Sequence, residues 1–184
     1  GAIAEASELL IAWVARAPRD VEALRALLEL LVTAERWAAV IGVAESLLRE
    51  DQPEMLGAIG ERLLAAARAL GRTEVARKGL ERAVERAADQ ARLVELLSEL
   101  YEELSEKQAL AELLLRALSP EDRPEKRVEQ LRRIGQLLLD AGDTERALWA
   151  LTQAWELKPD DNVTVLFIAD AQIAAHRFQE AQDL

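Results

Sequence analysis

Residues 128–161 read VEQLRRIGQLLLDAGDTERALWALTQAWELKPDD. Leu131, Ile134, Gly135 and Leu138 recur at helical spacing and fill one stripe of a helix. Ala141-Gly142-Asp143 breaks it, with Asp143 or Thr144 placed to cap a second helix. That helix carries Ala147, Leu151 and Ala154 on its inner face. Pro159 stops it, and Asp160-Asp161 can cap whatever follows. The stretch predicts two antiparallel helices joined by a tight turn.

Stepping outward by 34 residues recovers further units of the same kind. Unit 21–54 has Leu24, Leu27-Leu28 and Leu31, a turn near Glu35-Arg36-Trp37, then Val40, Ala44 and Leu47. Unit 57–90 has Leu63, the turn Leu70-Gly71-Arg72, then Ala76, Leu80 and Ala83. Unit 91–124 has Val94, Leu97-Ser98 and Tyr101, a turn near Ser105, then Leu114 and Ala117. After 161 comes a truncated unit, 162–184, with Val165, Ile168-Ala169 and Gln172, a turn at Ala175-His176-Arg177-Phe178, and Ala181 opening a second helix. Residues 2–17 read as a lone second helix closed by Pro18. The period slips twice, by Met55-Leu56 and by Glu125-Lys126-Arg127, between hairpins, where a longer loop or an extra half-turn costs little. The expected fold is all-α, with about eleven helices and breaks near Pro18, Glu35, Asp51, Gly71, Asp89, Ser105, Ser119, Gly142, Pro159 and His176.

This pattern resembles the tetratricopeptide repeat. Leu131, Leu138 and Leu151 stand where that family places large residues, and Gly135, Ala147 and Ala154 match its small ones. The resemblance implies an α-solenoid of antiparallel hairpins, a right-handed superhelix whose first helices line a concave groove. It also implies a segment of a longer, bacterial-type array. Such grooves take an extended peptide or a partner helix. Carrying the groove positions across puts Arg25, Glu29, Glu61, Ala65, Glu95, Glu99, Glu102, Glu103, Arg132, Gln136, Leu166 and Asp170 inward. The Lys and Asn clamp with which chaperone-binding members hold a C-terminal carboxylate is missing. Arg, Glu and Ala occupy those places, and the acids at 95–103 point to a basic or neutral segment. Trp37 and Trp155 fall where repeats pack on neighbours and are expected in the core. Trp149 is left pointing partly outward on the convex side, a candidate interface anchor.

The 184-residue chain carries a net charge of −11 and is rich in Ala, Leu, Glu and Arg, all strong helix formers. Residues 140–184 hold nine acids against three bases. That balance argues against nucleic acid and anionic membrane surfaces as partners. No apolar run is long enough to cross a bilayer and no signal peptide is read, so a cytoplasmic setting is expected. Cysteine is absent, which removes disulfides, thiolate chemistry and cysteine-held zinc.

No catalytic set stands out. The single histidine, His176, falls in an interhelical turn without an orienting carboxylate or a nucleophile beside it in sequence. Glu95, Glu99 and Glu103 share a helix face, yet no pocket or perturbing group is read beside them, and solvated side chains are the plainer reading. Gly57 and Gly60 follow no strand and form no phosphate cradle. Asp140-Ala141-Gly142-Asp143 lacks the alternating ligands of a calcium loop. The reading is a protein-binding scaffold with no enzymatic activity, no cofactor and no metal. The alternative is a structural or self-assembling segment of a larger protein, with its apolar terminal helices associating between copies.

Overall fold

Local sequence decides where the helices stop. At four hairpins the chain leaves its helix through the same turn, in which one residue adopts a left-handed conformation. These residues are Glu35 (φ 53°), Gly71 (φ 64°), Ser105 (φ 58°) and Gly142 (φ 82°). The next N–H reaches back to a carbonyl in the last helical turn: Arg36 to Leu31 at 2.9 Å, Arg72 to Ala67 at 2.8 Å, Glu106 to Tyr101 at 2.9 Å and Asp143 to Leu138 at 2.8 Å. This bond satisfies a carbonyl that the helix end would otherwise orphan. Glycine adopts the left-handed angle freely, whereas Glu35 and Ser105 hold it against a Cβ clash.

The computed structural model describes residues 2–87 and 91–175. Among them are ten α-helices and no strand: α1 Ala2–Arg16, α2 Val21–Thr33, α3 Trp37–Glu50, α4 Pro53–Ala69, α5 Thr73–Arg86, α6 Ala91–Glu103, α7 Lys107–Ala117, α8 Pro124–Asp140, α9 Thr144–Leu157 and α10 Asn162–Ala174. Eight of the ten expected breaks fall between these helices or at their caps. The breaks expected near Asp89 and His176 lie outside the described residues, as does the eleventh helix. The two slips in period resolve as helix, not loop. α4 and α8 each begin with a proline in the first turn and run 17 residues, against 13 for α2, α6 and α10. Proline is tolerated there because its missing N–H would have had no partner.

The chain divides into two compact units, residues 1–100 and 101–184. In the first, α1 packs on α2, and α2 to α5 pack in sequence, with α3 also touching α5. Its core is leucine and alanine, including Leu24, Leu31, Val40, Ala44, Leu47, Leu63, Ala76 and Leu80. In the second, α7, α8, α9 and α10 pack in sequence and α8 also touches α10. Val128, Leu131, Ile134 and Leu138 of α8 meet Ala147, Ala150 and Ala154 of α9, while Leu148 and Leu151 meet Ile168 and Ala171 of α10.

Small residues set how closely a hairpin closes. A Cβ on Gly135 would lie 2.6 Å from Leu151 Cγ. In α4 and α5 the same closeness is reached with the glycines elsewhere: a Cβ on Gly79 would meet Leu63 Cδ2 at 2.6 Å, and one on Gly60 would meet Leu80 Cδ2 at 2.9 Å. Each glycine lets the facing leucine lie on helix backbone, which a larger side chain would forbid. The tryptophans correct one expectation. Trp155 is 39% exposed and so is not core, and Trp37 is only half-buried. Trp149, at 54% exposed, does point outward. The helix around Trp155 is already filled from its inner side by Ala150, Leu151 and Ala154, which leaves no space for an indole.

Candidate functional site

In the first unit, the outward faces of the first helices are not a field of free acids. Glu29 of α2 lies 3.5 Å from Arg62 Nε of α4. Glu61 of α4 accepts from Arg92 Nε of α6 at 2.6 Å. Arg92 also donates to Glu95 at 2.9 Å and stands 4.0 Å from Glu99, which is 3.7 Å from Arg68 of α4. In the second unit Glu102 pairs with Arg133 of α8. Glu103 and Ala65 are exposed. The groove acids named from the sequence thus reach solvent largely as partners in ion pairs with neighbouring repeats. Exposed pairs of this kind are each worth about 0.2–1 kcal/mol, and they cancel much of the local field.

Arg25 leaves the set of available groove residues for a stronger reason. Its Nε donates to Asp51 Oδ2 at 2.8 Å, and a second guanidinium nitrogen takes Asp51 Oδ1. Asp51 is 2% exposed, and its Oδ1 also accepts the Gln52 N–H at 2.7 Å. Burial alone would push this carboxyl up. The hydrogen bonds from Arg25 and Gln52, with the charges of Arg25 and Arg86, outweigh it and hold Asp51 below the usual carboxylate range. Arg25 clasps α2 to the end of α3, at the junction with α4.

The second unit offers an open cleft. Between α8 and α10, a space of about 360 Å³ is lined by Arg133, Gln136, Leu137, Leu139, Asp140, Phe167 and Asp170. Leu137, Leu139 and Phe167 are half-buried and supply its apolar floor. Two of its charges are already matched: Arg133 by Glu102, and Asp140 by Lys107 at 2.7 Å. Asp170 has no partner among the described residues. Leu166, one turn away on α10, is 65% exposed. Arg132 faces Asp161 at 3.4 Å, where the Thr164 hydroxyl donates to the same carboxylate at 2.6 Å and, with Arg132, holds it below its ordinary range. Asp161 is the N-cap residue of α10.

Of the residues named from sequence, the structure therefore gathers Gln136 and Asp170 in one cleft and leaves Leu166 at its side. Arg133, Leu137, Asp140 and Phe167 were missed. Arg133 carried a signal: it lies 31 residues after Glu102, the interval that also separates Glu61 from Arg92 and Arg68 from Glu99. Among the described residues no group of acidic or histidine side chains could hold a metal ion, and no helix is long and apolar enough to cross a membrane.

A tetratricopeptide-repeat family model matches residues 138–184. No curated protein sequence matches the chain. Among solved structures, MamA AMB-1 is 20% identical over 82% of this chain and 80% of its own, with a TM-score of 0.50. YrrB, a TPR protein with an unusual peptide-binding site, is 14% identical over 96% of this chain and 89% of its own, with a TM-score of 0.49. BtubC from P. vanneervenii is 16% identical over 99% of this chain and 85% of its own, with a TM-score of 0.45. At these identities the likeness concerns the fold alone. The family model thus matches the C-terminal stretch alone, where α9 and α10 lie, and the helix hairpins described for the rest of the chain are similar in kind to that repeat.

Proposed function

We propose that this protein is a non-enzymatic interaction scaffold whose first-helix face receives a segment of a partner protein. The observation that carries the reading is the cleft between α8 and α10: an apolar floor, a rim whose other charges are internally matched, and Asp170 unmatched beside it. Such a cleft suits an extended segment that places an apolar side chain on Phe167 and Leu137 and a Lys or Arg beside Asp170. A preformed scaffold loses little conformational entropy on binding, so modest contacts suffice. A basic partner is thus supported at one residue, Asp170, more than by the acids of α6, which are already paired.

Panning a random peptide library against the chain tests this. Enriched peptides should pair an apolar residue with a nearby cation, and Asp170→Lys should weaken them about 10-fold, the cost of a charged contact turned repulsive. Peptides that bind Asp170→Lys and wild type alike would remove the cleft from the account.

A second reading, a structural or self-assembling segment, is favoured by one feature. On α1, Leu9 is 73% and Trp13 55% exposed, at i and i+4 on one face, and the Trp13 indole is held by a 2.7 Å hydrogen bond to Asp20. That bond, with the Ala23 N–H, also holds Asp20 below its ordinary range. Light scattering on wild type and on Leu9→Glu/Trp13→Glu separates the readings: self-association that vanishes in the double variant supports the second.

A further inference from the structure

The helices of the first unit from α2 onward carry eight arginines. Five pair with carboxylates of the chain: Arg25, Arg62, Arg68, Arg77 and Arg92. Among the described residues, Arg49, Arg82 and Arg86 pair with none, and all three line one pocket of about 270 Å³ between α3 and α5. Glu45 and Glu85 share the lining without closing an ion pair to any of them. In a chain of net charge −11, three guanidinium groups line one concavity; Arg86 also acts on the charge of Asp51, while Arg49 and Arg82 form no ion pair among the described residues.

The three have different standing. Arg86 is fixed: two of its nitrogens donate to backbone carbonyls at the end of α3, Asp51 O at 3.0 Å and Leu48 O. Those bonds hold the guanidinium at the negative end of the α3 dipole and leave its other donors unspent. Arg49 gives one nitrogen to Ser46 Oγ at 3.2 Å. Arg82, exposed on α5, has no partner among the described residues. Leu48 and Gly79, both buried, add apolar surface to a lining of three arginines and two glutamates. Planar guanidinium forks match a carboxylate in bidentate fashion.

We infer that this pocket on the second-helix side of the first unit binds a carboxylate carried by an acidic segment of a partner protein. The site is separate from the cleft between α8 and α10 and seeks the opposite charge. At physiological ionic strength the screening length is about 8 Å, so acids farther off than that act only weakly on an occupant of the pocket, and Glu45 and Glu85 are the ones it meets.

The test uses the full chain and a fluorescent peptide of alternating Glu and Leu, followed by anisotropy at physiological salt. Arg82→Gln and Arg49→Gln alter exposed side chains that pair with no carboxylate of the chain, so folding should survive, which far-UV circular dichroism checks. The double variant should bind the acidic peptide about 10- to 100-fold more weakly, as expected when two charge-assisted hydrogen bonds to the ligand are removed. Saturable wild-type binding with that weakening supports the site. Equal affinity of wild type and double variant overturns it, as does the absence of saturable binding to wild type. Displacement of the peptide by inorganic phosphate but not by acetate at equal concentration would also overturn the carboxylate assignment, making the pocket a phosphate site.

Discussion

Gly135→Ala and Gly42→Ala make the same chemical change in two helices, and the structure gives them opposite signs. In α8, the new methyl would sit 2.6 Å from Leu151 Cγ, 2.7 Å from Cδ2 and 3.3 Å from Cδ1. Leu151 is fully buried and packs against Ile168 of α10, so it cannot swing clear. Overpacking of this kind costs about 1–3 kcal/mol. Alanine recovers about 0.8–1.0 kcal/mol over glycine in a helix interior, leaving a net loss of up to about 2 kcal/mol. In α3, a Cβ on Gly42 meets nothing within 4 Å, so only the propensity gain remains and the variant should be more stable by about 0.5–1 kcal/mol. Urea unfolding followed by far-UV circular dichroism should move the two midpoints in opposite directions around wild type with unchanged slopes. A second check adds Leu151→Ala: in the Gly135→Ala background the truncation should cost less than in wild type, because it relieves the clash. Gly135→Ala as stable as wild type, or Gly42→Ala below it, would mean that close helix approach is not what these glycines provide.

Asp51→Asn should lower stability by about 3 kcal/mol, since it strands Arg25 against a buried amide, measured by the same urea titration. Because the folded-state carboxyl titrates below the unfolded one, its stabilisation is fully present above the ordinary carboxylate range and is lost as pH falls through the lowered value; wild type and variant should diverge at neutral pH and converge in strong acid. Ser105→Gly should raise stability by about 1 kcal/mol, by relieving a left-handed angle that glycine adopts freely; an unchanged midpoint would show that the turn holds Ser105 without strain. Trp149→Ala should cost less than about 1 kcal/mol, because more than half of the side chain already faces solvent, and a larger loss would place it in a packed interface.

The hairpins were legible because helix stripes, turn residues and the 34-residue period all follow from backbone geometry that local sequence controls. Gly71 and Gly142 announced their turns, and Glu35 and Ser105 were found only through the period, since neither residue type favours a left-handed angle. The register of the longer helices was harder. Met55-Leu56 and Glu125-Lys126-Arg127 read equally well as loop or helix, and the prolines before them decided for helix by opening α4 and α8 at their first turns. Trp155 falls where repeats pack on neighbours, yet Ala150, Leu151 and Ala154 already close the inner side of α9 and leave its indole 39% exposed.

The charges were the least legible part, and the reason bears on function. Counting Glu95, Glu99 and Glu102 along one helix predicts a negative face; packing supplies the counter-ions from elsewhere in sequence. Glu61 and Arg92, and Arg68 and Glu99, are each 31 residues apart, one repeat on and about one helical turn back; Glu102 and Arg133 share that interval across the step that α8 lengthens by three residues. First helices of successive hairpins run in the same direction, so a residue faces its counterpart one repeat later, less the turn by which side chains lean towards the helix start. A ligand approaching that face must compete with bonds already made, and exchange of one exposed ion pair for another yields little net energy. Selectivity should then reside where the matching lapses: at Asp170 beside the apolar floor of the α8–α10 cleft, and at Arg49 and Arg82 over the pocket between α3 and α5.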